Sequence, residues 1–423
     1  MGEAIALPHT WNAVDGQDGG NDYYRGTCWY TLALAKPTIP AGGKAVLQLD
    51  GAAMTAAVYL NGEKLAEHKG GYSTFRVDLT DHLKEENLLA ISVDNSDNDT
   101  VYPQKADFTF YGGIYRDVTL HIVPAEHFAL PANGAPALKV TPIVTDLAAR
   151  TSEITVEAAV VDAQNVTFAL EGQTLTAPVE KGTAKVVFTL NNAHLWDGVD
   201  DPFLYTVSAK LDNGEETSAR FGCRKFEIDP QKGFILNGRE YPLRGVSRHQ
   251  DRKGAGIALT KEMMEEDISI ILEMGANTIR LAHYQHAQYF YDLCDEKGLV
   301  IWAEIPYITM HMPNGRANTL TQMEELIVQN YNHPCIAVWG LSNEITAASA
   351  VNEDLLENHR LLNELAHKLD PTRKTTMANV FMLETTSPIL EIPDVNSYNL
   401  YFGWYLGELE QNDEFFDKYH AVT

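Results

Sequence analysis

The hydrophobic pattern of the chain changes its period near residue 230, and this change most limits the possible folds. Before it, short runs rich in β-branched and aromatic residues alternate with turn residues, which predicts antiparallel β-sandwiches. After it, short apolar runs alternate with helical ones, which predicts a parallel sheet joined by crossover helices. A multidomain protein is therefore expected, and a length of 423 residues agrees with roughly two to four domains.

We predict three domains from this pattern. Residues 1–125 contain several short strand-like runs and should form one antiparallel sandwich. The linker VPAEHFALPANGAPA spans the start of the second domain, residues 126–228. After the linker, strand-like runs extend over about 90 residues, as in an immunoglobulin-like sandwich. Residues 229–423 carry the strand–helix alternation.

The third domain is predicted to contain strands at about residues 241–246, 277–282, 299–305, 336–342, 374–379 and 394–400. In its first helix, Met264, Ile268 and Ile271 recur at the spacing of one helical face, and Gly275 supplies a left-handed stop. A capping-box pattern at Thr321 predicts that the third helix begins there.

Polar residues follow most of these strands at their carboxyl ends: Ser247, Arg248, His249, His283, Tyr284, Glu304, Asn343, Glu344, Tyr398 and Tyr401. A doubly wound sheet usually binds its ligand at the one crevice where the strand order reverses. Polar residues after nearly every strand fit a barrel better, because all strand ends of a barrel surround one active site. A barrel is therefore the preferred prediction.

The segment WGLSNE places Glu344 at such a junction, directly after an apolar strand. Glu344 could simply cap the following helix, since carboxylates favour helix N-termini. However, His249, Arg280, His283 and Glu304 are predicted to converge on the same face, and many ionisable groups in one pocket indicate a functional site. Taken singly, each histidine could be structural, and Arg280 with Glu304 could form a buried pair that only positions the wall.

Charge and cysteine spacing argue against several classes of function. The sequence has 32 Lys and Arg against 58 Asp and Glu, a formal net charge of −26, which repels nucleic acid and anionic lipid. No apolar run reaches the roughly 18 residues of a membrane span, and the start lacks the features of a signal peptide. The four cysteines lack the spacing of zinc ligands. We therefore predict a cytoplasmic protein that binds neither nucleic acid nor membranes.

Acids, imidazoles and aromatic side chains in one pocket suit a carbohydrate. Aromatic faces, here from Trp302, Tyr401 and Trp404, stack on the C–H side of a sugar ring, whereas carboxylates and amides bind its hydroxyl groups. Glycosidic bonds are commonly cut by two carboxyl groups, and Glu344 is a candidate for one of them. A carbohydrate-binding protein without catalysis is the first alternative. A nucleotide-binding α/β enzyme is a weaker one, because no phosphate-binding glycine motif follows a strand.

Longer segments resemble the motifs of glycoside hydrolase family 2, the β-galactosidase and β-glucuronidase family. These segments are DFTFYGGIYRDVTL, RGVSRHQ, ANTIRLAHYQH, YDLCDEKGLVIWAE, NHPCIAVWGLSNE and NSYNLYFGWY, in the order of the family. The resemblance extends over essentially the whole chain. It implies a jelly-roll sugar-binding domain, an immunoglobulin-like β-sandwich and a (β/α)8 TIM barrel, the last present only through about its sixth strand.

The resemblance also implies a role for each candidate site residue. Glu344 resembles the general acid/base of a retaining glycosidase, and Asn343 resembles the asparagine that binds the sugar 2-hydroxyl. The other predicted substrate-binding residues are His249 and His283 on sugar hydroxyls, Arg280 and Tyr401 beside the nucleophile, Asp107 reaching in from the jelly roll, and Trp404. The motifs and Asp107 favour a terminal β-galactoside as the substrate, with a β-glucuronide as the alternative.

The sequence departs from the family pattern at three places. The family nucleophile is a glutamate in a segment resembling SEYG, which this sequence lacks, and Glu408, Glu410 and Glu414 are expected to be a solvated face instead. Both ends look trimmed, and because the nucleophile is missing, the 423-residue chain is expected to be inactive by itself. Ile308 and Met310 stand where some galactosidases carry magnesium ligands, so no metal is predicted there and no cofactor. Related enzymes often assemble, which makes a homo-oligomer an open expectation.

Overall fold

A computed structural model describes residues 2–20 and 22–422 of the chain. Three structural regions follow one another along it. The first two contain antiparallel sheets, and the third is built around a parallel sheet of six strands. In the described part of the chain, no helix combines the length and the apolar character needed to cross a membrane.

The first region is a β-sandwich. Its strands are β1 (Thr27–Ala35), β2 (Lys44–Leu49), β3 (Ala52–Ala53), β4 (Thr55–Leu60), β5 (Glu63–Lys69), β6 (Phe75–Asp78), β7 (Glu86–Asp94), β8 (Gly113–Ile114) and β9 (Val118–Val123). One sheet has the order β1-β7-β4-β5, another has the order β6-β2-β9, and β3 pairs with β8. Leu47, Phe75, Val58 and Ile91, from strands of both larger sheets, share one core. Burial of one face of each sheet against this core holds the two layers together.

The second region repeats this architecture. Its strands are β10 (His127–Phe128), β11 (Leu138–Asp146), β12 (Thr151–Val161), β13 (Asn165–Leu170), β14 (Gln173–Pro178), β15 (Thr183–Leu190), β16 (Tyr205–Leu211) and β17 (Glu216–Phe221). Strand β12 pairs with β10, β11 and β15, and the other sheet has the order β14-β13-β16-β17. Alternate residues of β15 are buried, which is the pattern of a strand with one face in the core and one in water.

The third region alternates strands and helices. A small antiparallel sheet, β18 (Phe226–Asp229), β19 (Gly233–Leu236) and β20 (Arg239–Glu240), precedes the parallel strands. Those strands are β21 (Gly245–Arg248), β22 (Thr278–Leu281), β23 (Val300–Glu304), β24 (Ile336–Asn343), β25 (Lys374–Val380) and β26 (Val395–Asn399). The helices are α1 (Lys261–Glu273), α2 (Gln288–Lys297), α3 (Arg316–Asn330), α4 (Glu353–Leu369) and α5 (Gln411–Val422). Neighbours in the sheet are neighbours in sequence, so within the described residues the sheet is an open half-barrel with β21 and β26 at its edges.

The predicted strands and the first helix agree closely with this region. Each of the parallel strands begins within a few residues of its predicted start. In α1, Met264, Ile268 and Ile271 are the buried residues, and Gly275 follows the helix with a φ of +76°. These features depend on local periodicity and on glycine's tolerance of the left-handed region, both of which are visible in the sequence.

The predicted start of the third helix at Thr321 is wrong. Helix α3 already begins at Arg316, and the Thr321 hydroxyl donates a hydrogen bond to the carbonyl of Ala317 inside the helix. The first turn of α3, which precedes Thr321, packs against the first region: Nδ2 of Asn318 donates to the carbonyl of Lys69 at 3.0 Å. Tertiary contacts therefore extend the helix past a local capping signal, as they often override local propensity.

The connection between β7 and β8 joins the first region to the half-barrel. Tyr102 in this connection is 1% exposed and belongs to the hydrophobic core of the barrel. Its backbone N–H donates to Oδ1 of Asn318 at 2.9 Å, and its ring meets that of Tyr307 edge-on at 5.0 Å. This connection therefore runs along the barrel and places the residues that follow Tyr102 near the ends of the parallel strands.

Candidate active site

The carboxyl ends of four parallel strands bring a polar cluster together. Arg280 lies in β22, Glu304 ends β23, Asn343 ends β24 and Asn399 ends β26. Because all these strands run in the same direction and in sequence order, their carboxyl ends meet at one edge of the sheet. The four side chains form a connected hydrogen-bond network at that edge, which we call the strand-end cluster.

A buried ion pair forms the base of this cluster. The side chain of Glu304 is fully buried, and its two oxygens accept hydrogen bonds from Nε and Nη2 of Arg280 at 3.0 and 3.1 Å. Nδ1 of His283 lies 2.5 Å from the same carboxylate. Burial by itself would raise the pKa of Glu304, but the charges and hydrogen bonds of Arg280 and His283 hold that pKa below its ordinary value. Glu304 is therefore an ionised anchor for the arginine.

Arg280 also reaches two amides, so it does more than neutralise Glu304. Nη2 donates to Oδ1 of Asn343 at 2.6 Å, and Nη1 donates to Oδ1 of Asn399 at 2.8 Å. The guanidinium carbon lies 4.6 Å from the centre of the Trp302 ring, which places a cation over an aromatic face. A purely structural role, in which Arg280 and Glu304 only position the barrel wall, accounts for their ion pair but not for the hydrogen bonds of Arg280 to the two amides.

Glu344 follows β24 and joins the cluster through its carboxylate. Its Oε1 accepts a hydrogen bond from Nδ2 of Asn399 at 2.8 Å. The backbone of Glu344 has a φ of +47°, a left-handed conformation that is uncommon for residues other than glycine and that concentrates at functional sites. Its N–H donates to the carbonyl of Ala378 at 2.7 Å, which helps to hold this conformation.

The alternative role of Glu344 as a helix cap is wrong. The next α-helix, α4, begins at Glu353 and is capped by Asn352, whose side chain accepts a hydrogen bond from the N–H of Leu355. Glu344 lies eight positions before that cap, in a turn region. Its carboxylate therefore serves the strand-end cluster.

Two histidines and an aromatic ring form a wall beside the cluster. The ring of His249 lies 5.3 Å from that of His283, and Nδ1 of His249 lies 3.4 Å from the Tyr284 hydroxyl. Phe108, from the connection between β7 and β8, contacts His249 at 5.1 Å between ring centres. Burial, and then the neighbouring His283, lower the pKa of His249 below its ordinary value. His249 is therefore a neutral donor and acceptor near pH 7.

The remaining predicted residues differ in their positions. Asp107 is exposed, and it is close enough for its charge to act on the pKa of both His249 and Tyr401. Tyr401 is half-buried, and burial, followed by the charge of Glu344, raises the pKa of its hydroxyl. Trp404 is 80% exposed and its ring contacts Tyr405, so the described structure does not bring it to the cluster. The structure thus brings five of the eight predicted residues into contact, places Asp107 and Tyr401 within range of their charges, and leaves Trp404 on the surface.

Sequence reasoning missed Asn399, and it placed Glu304 in the pocket without giving it a catalytic or substrate-binding role. Asn399 is the hub of the cluster, with hydrogen bonds to Arg280, Asn343 and Glu344. The sequence signal for Asn399 is the same as for the other site residues: Asn399 is a polar residue at the carboxyl end of a barrel strand. The sequence prediction favoured its neighbour Tyr401, because aromatic rings are expected in a sugar pocket.

Two features away from the cluster could hold a ligand by their shape or residue types: a group of acidic and histidine side chains, and a cleft. Asp292, Asp295 and His333 have potential ligand atoms within 4.8 Å of one another. However, His333 lies 2.6 Å from Asp295, and Asp292 pairs with Arg220 at 2.9 Å, so hydrogen bonds and an ion pair account for the group. A cleft of about 340 Å³ also lies between the first region and helices α1 and α2, and it contains none of the predicted site residues.

The sequence models of one family match nearly the whole chain. The model described as "Glycosyl hydrolases family 2, TIM barrel domain" matches residues 227–422. The sugar binding domain of the same family matches residues 8–124, and a third model, described as "Glycosyl hydrolases family 2", matches residues 131–224. The three matches follow the three structural regions in order.

Individual relatives carry the names of two related activities. A β-glucuronidase of Bacteroides fragilis is 35% identical over 98% of this chain, which covers 63% of that protein. A β-galactosidase of Thermoanaerobacter pseudethanolicus is 30% identical over 88% of the chain, which covers 51% of that protein. Among solved structures, an FMN-binding β-glucuronidase from Facaelibacterium prausnitzii L2-6 superimposes with a TM-score of 0.94 at 44% identity, covering 99% of this chain and 67% of that one.

The chain therefore spans about half to two thirds of the length of these relatives. The sandwich, the second sandwich and the half-barrel correspond to the family's domains in the family's order. Together with the strand-end cluster, these matches show that the chain belongs to glycoside hydrolase family 2.

Proposed function

We propose that this chain forms the acid/base side of the pocket of a retaining glycosidase that acts on terminal β-glucuronides. The observation that carries the proposal is the position of Glu344 at the end of a barrel strand, with its carboxylate hydrogen-bonded to Asn399 beside Asn343. In this proposal the first sandwich is a jelly roll that binds sugar and the half-barrel is part of a (β/α)8 barrel. The family models describe the two parts as a sugar binding domain and a TIM barrel domain.

The chemistry assigned to Glu344 follows from its place in the cluster. Glu344 protonates the glycosidic oxygen as the bond to the leaving group breaks, while a second carboxylate attacks the anomeric carbon. Glu344 then takes a proton from the water that hydrolyses the glycosyl–enzyme intermediate. Asn343, whose Oδ1 is turned to Arg280, presents its NH2 group as a donor to the sugar 2-hydroxyl. Glu304 is occupied by Arg280 and His283, so the nucleophile is assigned to no described residue.

Similarity supports the glucuronide better than the predicted galactoside. The β-glucuronidase relative is more similar and more completely aligned than the β-galactosidase, and the solved structure at 44% identity is also a β-glucuronidase. The sequence-based prediction of a galactoside rested on Asp107 and on the resemblance of the motifs to those of β-galactosidases. The charge of Asp107 does act on the pKa of His249 and of Tyr401, which keeps a β-galactoside as the second candidate.

Hydrolysis of a panel of aryl glycosides tests the sugar. The protein produced from its complete coding sequence is assayed with the 4-nitrophenyl β-glucuronide, β-galactoside and β-mannoside. We expect the highest kcat/KM for the glucuronide. A preference for the galactoside would overturn the assignment of the sugar, and no turnover of any of them would overturn the assignment of the reaction.

Replacement of Glu344 tests the acid/base role. Glu344→Gln should slow hydrolysis of substrates with poor leaving groups by about 10²- to 10⁴-fold, because protonation of the leaving oxygen is lost. Substrates with good leaving groups, such as 2,4-dinitrophenyl glycosides, should lose much less in the step that releases the aglycone. Glu384→Gln is the matched control, since Glu384 is an exposed loop residue outside the cluster. An equal loss on both kinds of substrate would contradict the acid role.

A further inference from the structure

Asn399 uses its whole side chain to connect three groups of the strand-end cluster. Its Nδ2 donates to Oε1 of Glu344 at 2.8 Å and to Oδ1 of Asn343 at 3.0 Å. Its Oδ1 accepts from Nη1 of Arg280 at 2.8 Å. An amide NH2 group has two hydrogens, so both donors of Asn399 are in use, as is its acceptor.

The orientation of both amides follows from the arginine. A guanidinium group donates hydrogen bonds and accepts none, so the atoms that face Arg280 must be the amide oxygens. Oδ1 of Asn343 and Oδ1 of Asn399 are both hydrogen-bonded to Arg280. The NH2 group of Asn399 is therefore fixed on the side of Glu344, and Glu304 holds the arginine that fixes it.

A fixed donor next to Glu344 makes its two carboxyl oxygens unequal. When Glu344 is protonated, one oxygen is a carbonyl and the other carries the hydrogen, and the carbonyl oxygen is the better acceptor. Because Asn399 donates to Oε1, the carbonyl form is favoured at Oε1 and the hydrogen at Oε2. When Glu344 is ionised, the same hydrogen bond fixes the orientation of the carboxylate about the Cγ–Cδ bond of Glu344.

We propose that Asn399 is the positioning residue of the acid/base: it fixes the Glu344 carboxyl so that Oε2 gives and takes the proton. The proposal rests on the acid/base function proposed for Glu344. It makes Arg280 and Glu304 the support of the acid/base as well as of the barrel wall, because they determine which way the Asn399 amide points. Asn399 itself touches no reacting atom in this assignment.

Aspartate at this position removes the amide donor and places a second carboxyl group beside Glu344. Asn399→Asp keeps the size of the side chain and an oxygen for Nη1 of Arg280, but it has no N–H for Glu344. Asn399→Ala removes all three contacts of the side chain with the cluster. Asn396→Ala is the control, because Asn396 lies on the same strand and donates to the carbonyl of Leu390, away from the cluster.

The ratio of kcat/KM for 4-nitrophenyl and phenyl glycosides of the preferred sugar is the kinetic measurement. For Asn399→Ala and Asn399→Asp, we expect kcat/KM to fall about 10- to 100-fold with the phenyl glycoside, a loss typical of a misplaced catalytic group. The fall with the 4-nitrophenyl glycoside should be several times smaller, and KM should change little. Asn396→Ala should keep the wild-type ratio.

Two kinetic outcomes would overturn the proposal while the proposed glycosidase function stands. One is a wild-type ratio of the two substrates in Asn399→Asp, and the other is an equal loss on both substrates. A crystal structure of Asn399→Ala provides a second measurement that needs no turnover. We expect the Glu344 carboxyl to rotate or to occupy more than one orientation, and an unchanged single orientation would also overturn the proposal. Failure of the wild-type protein to hydrolyse any glycoside would instead overturn the function on which it rests.

Discussion

Replacing Arg280 with methionine should destabilise the barrel more than replacing Glu304 with glutamine, although both changes break the same ion pair. The side chain of Glu304 is 0% exposed, whereas that of Arg280 is 14% exposed. Without Arg280, the Glu304 carboxylate remains fully buried, and its remaining described partner is the imidazole of His283. Without the Glu304 charge, Arg280 keeps its hydrogen bonds to Asn343 and Asn399.

The expected magnitudes follow from this asymmetry. Leaving one member of a buried pair uncompensated costs about 3–5 kcal/mol, which we expect for Arg280→Met. Loss of hydrogen bonds to a charged group costs about 1.5–3 kcal/mol each, and glutamine keeps part of them, so Glu304→Gln should lie near the lower end. Either change is a large fraction of the roughly 5–15 kcal/mol that stabilises a domain.

Acid should remove this contribution in a defined direction. The pKa of Glu304 is lowered in the folded protein, so its stabilising effect is present above the ordinary carboxylate range and is lost as the pH falls through the folded pKa. The difference between the wild type and Glu304→Gln should therefore be constant above about pH 5 and shrink below about pH 4. The Arg280→Met penalty should also shrink as the pH falls, because protonation neutralises the buried group.

Hydrogen exchange is the suitable measurement, because a chain with several domains need not unfold in one step. Exchange of β22 and β23 followed by mass spectrometry reports the opening of the barrel separately from the sandwiches. Arg280→Met should accelerate that exchange by at least about a hundredfold. Arg360→Met is the control, since Arg360 forms an exposed pair with Glu353 and should cost less than about 1 kcal/mol. A larger loss in Glu304→Gln than in Arg280→Met would refute this reasoning.

Two further predictions concern residues at the margin of the site. Burial, and then the proximity of His283, lower the pKa of His249 in the folded protein. Between pH 7 and pH 5 the unfolded chain therefore takes up a proton at this residue more readily than the folded chain does. The wild type should lose more thermal stability over this range than His249→Gln, as measured by Tm against pH. An equal slope for both proteins would contradict this. Trp404→Ala should change KM by less than about twofold, because Trp404 is 80% exposed and surface substitutions usually cost within about 0.5 kcal/mol. A large rise in KM in steady-state assays would show that Trp404 contacts the substrate.

Local signals predicted the fold better than they predicted the contacts between elements. The apolar face of α1 and the left-handed Gly275 depend on neighbours in sequence, and both are confirmed. The capping pattern at Thr321 is equally local, but α3 continues through it because Asn318 and its neighbours pack on the first sandwich. The sequence therefore predicts where elements occur more reliably than it predicts where tertiary packing moves their ends.

The candidate site shows the same limit. Polar strand ends were sufficient to gather His249, Arg280, His283 and Glu344 in one place. The importance of Asn399 could not be read from its type, since asparagine is common in turns and is useful here only because β22, β24 and β26 bring three partners within reach. Trp404 was included for its aromatic ring, and no sequence period indicates that the segment after β26 leaves it on the surface.

The burial of Tyr102 in the barrel core has a consequence for attempts to recombine members of this family. Because the connection between β7 and β8 supplies both Tyr102 and the ring of Phe108 beside His249, an exchange of the first sandwich between relatives would also exchange part of the barrel's interior and of its mouth. A chimaera that divides the chain between the sandwiches and the barrel is thus expected to fold poorly. One that transfers residues 98–110 together with the barrel keeps both sides of this joint matched.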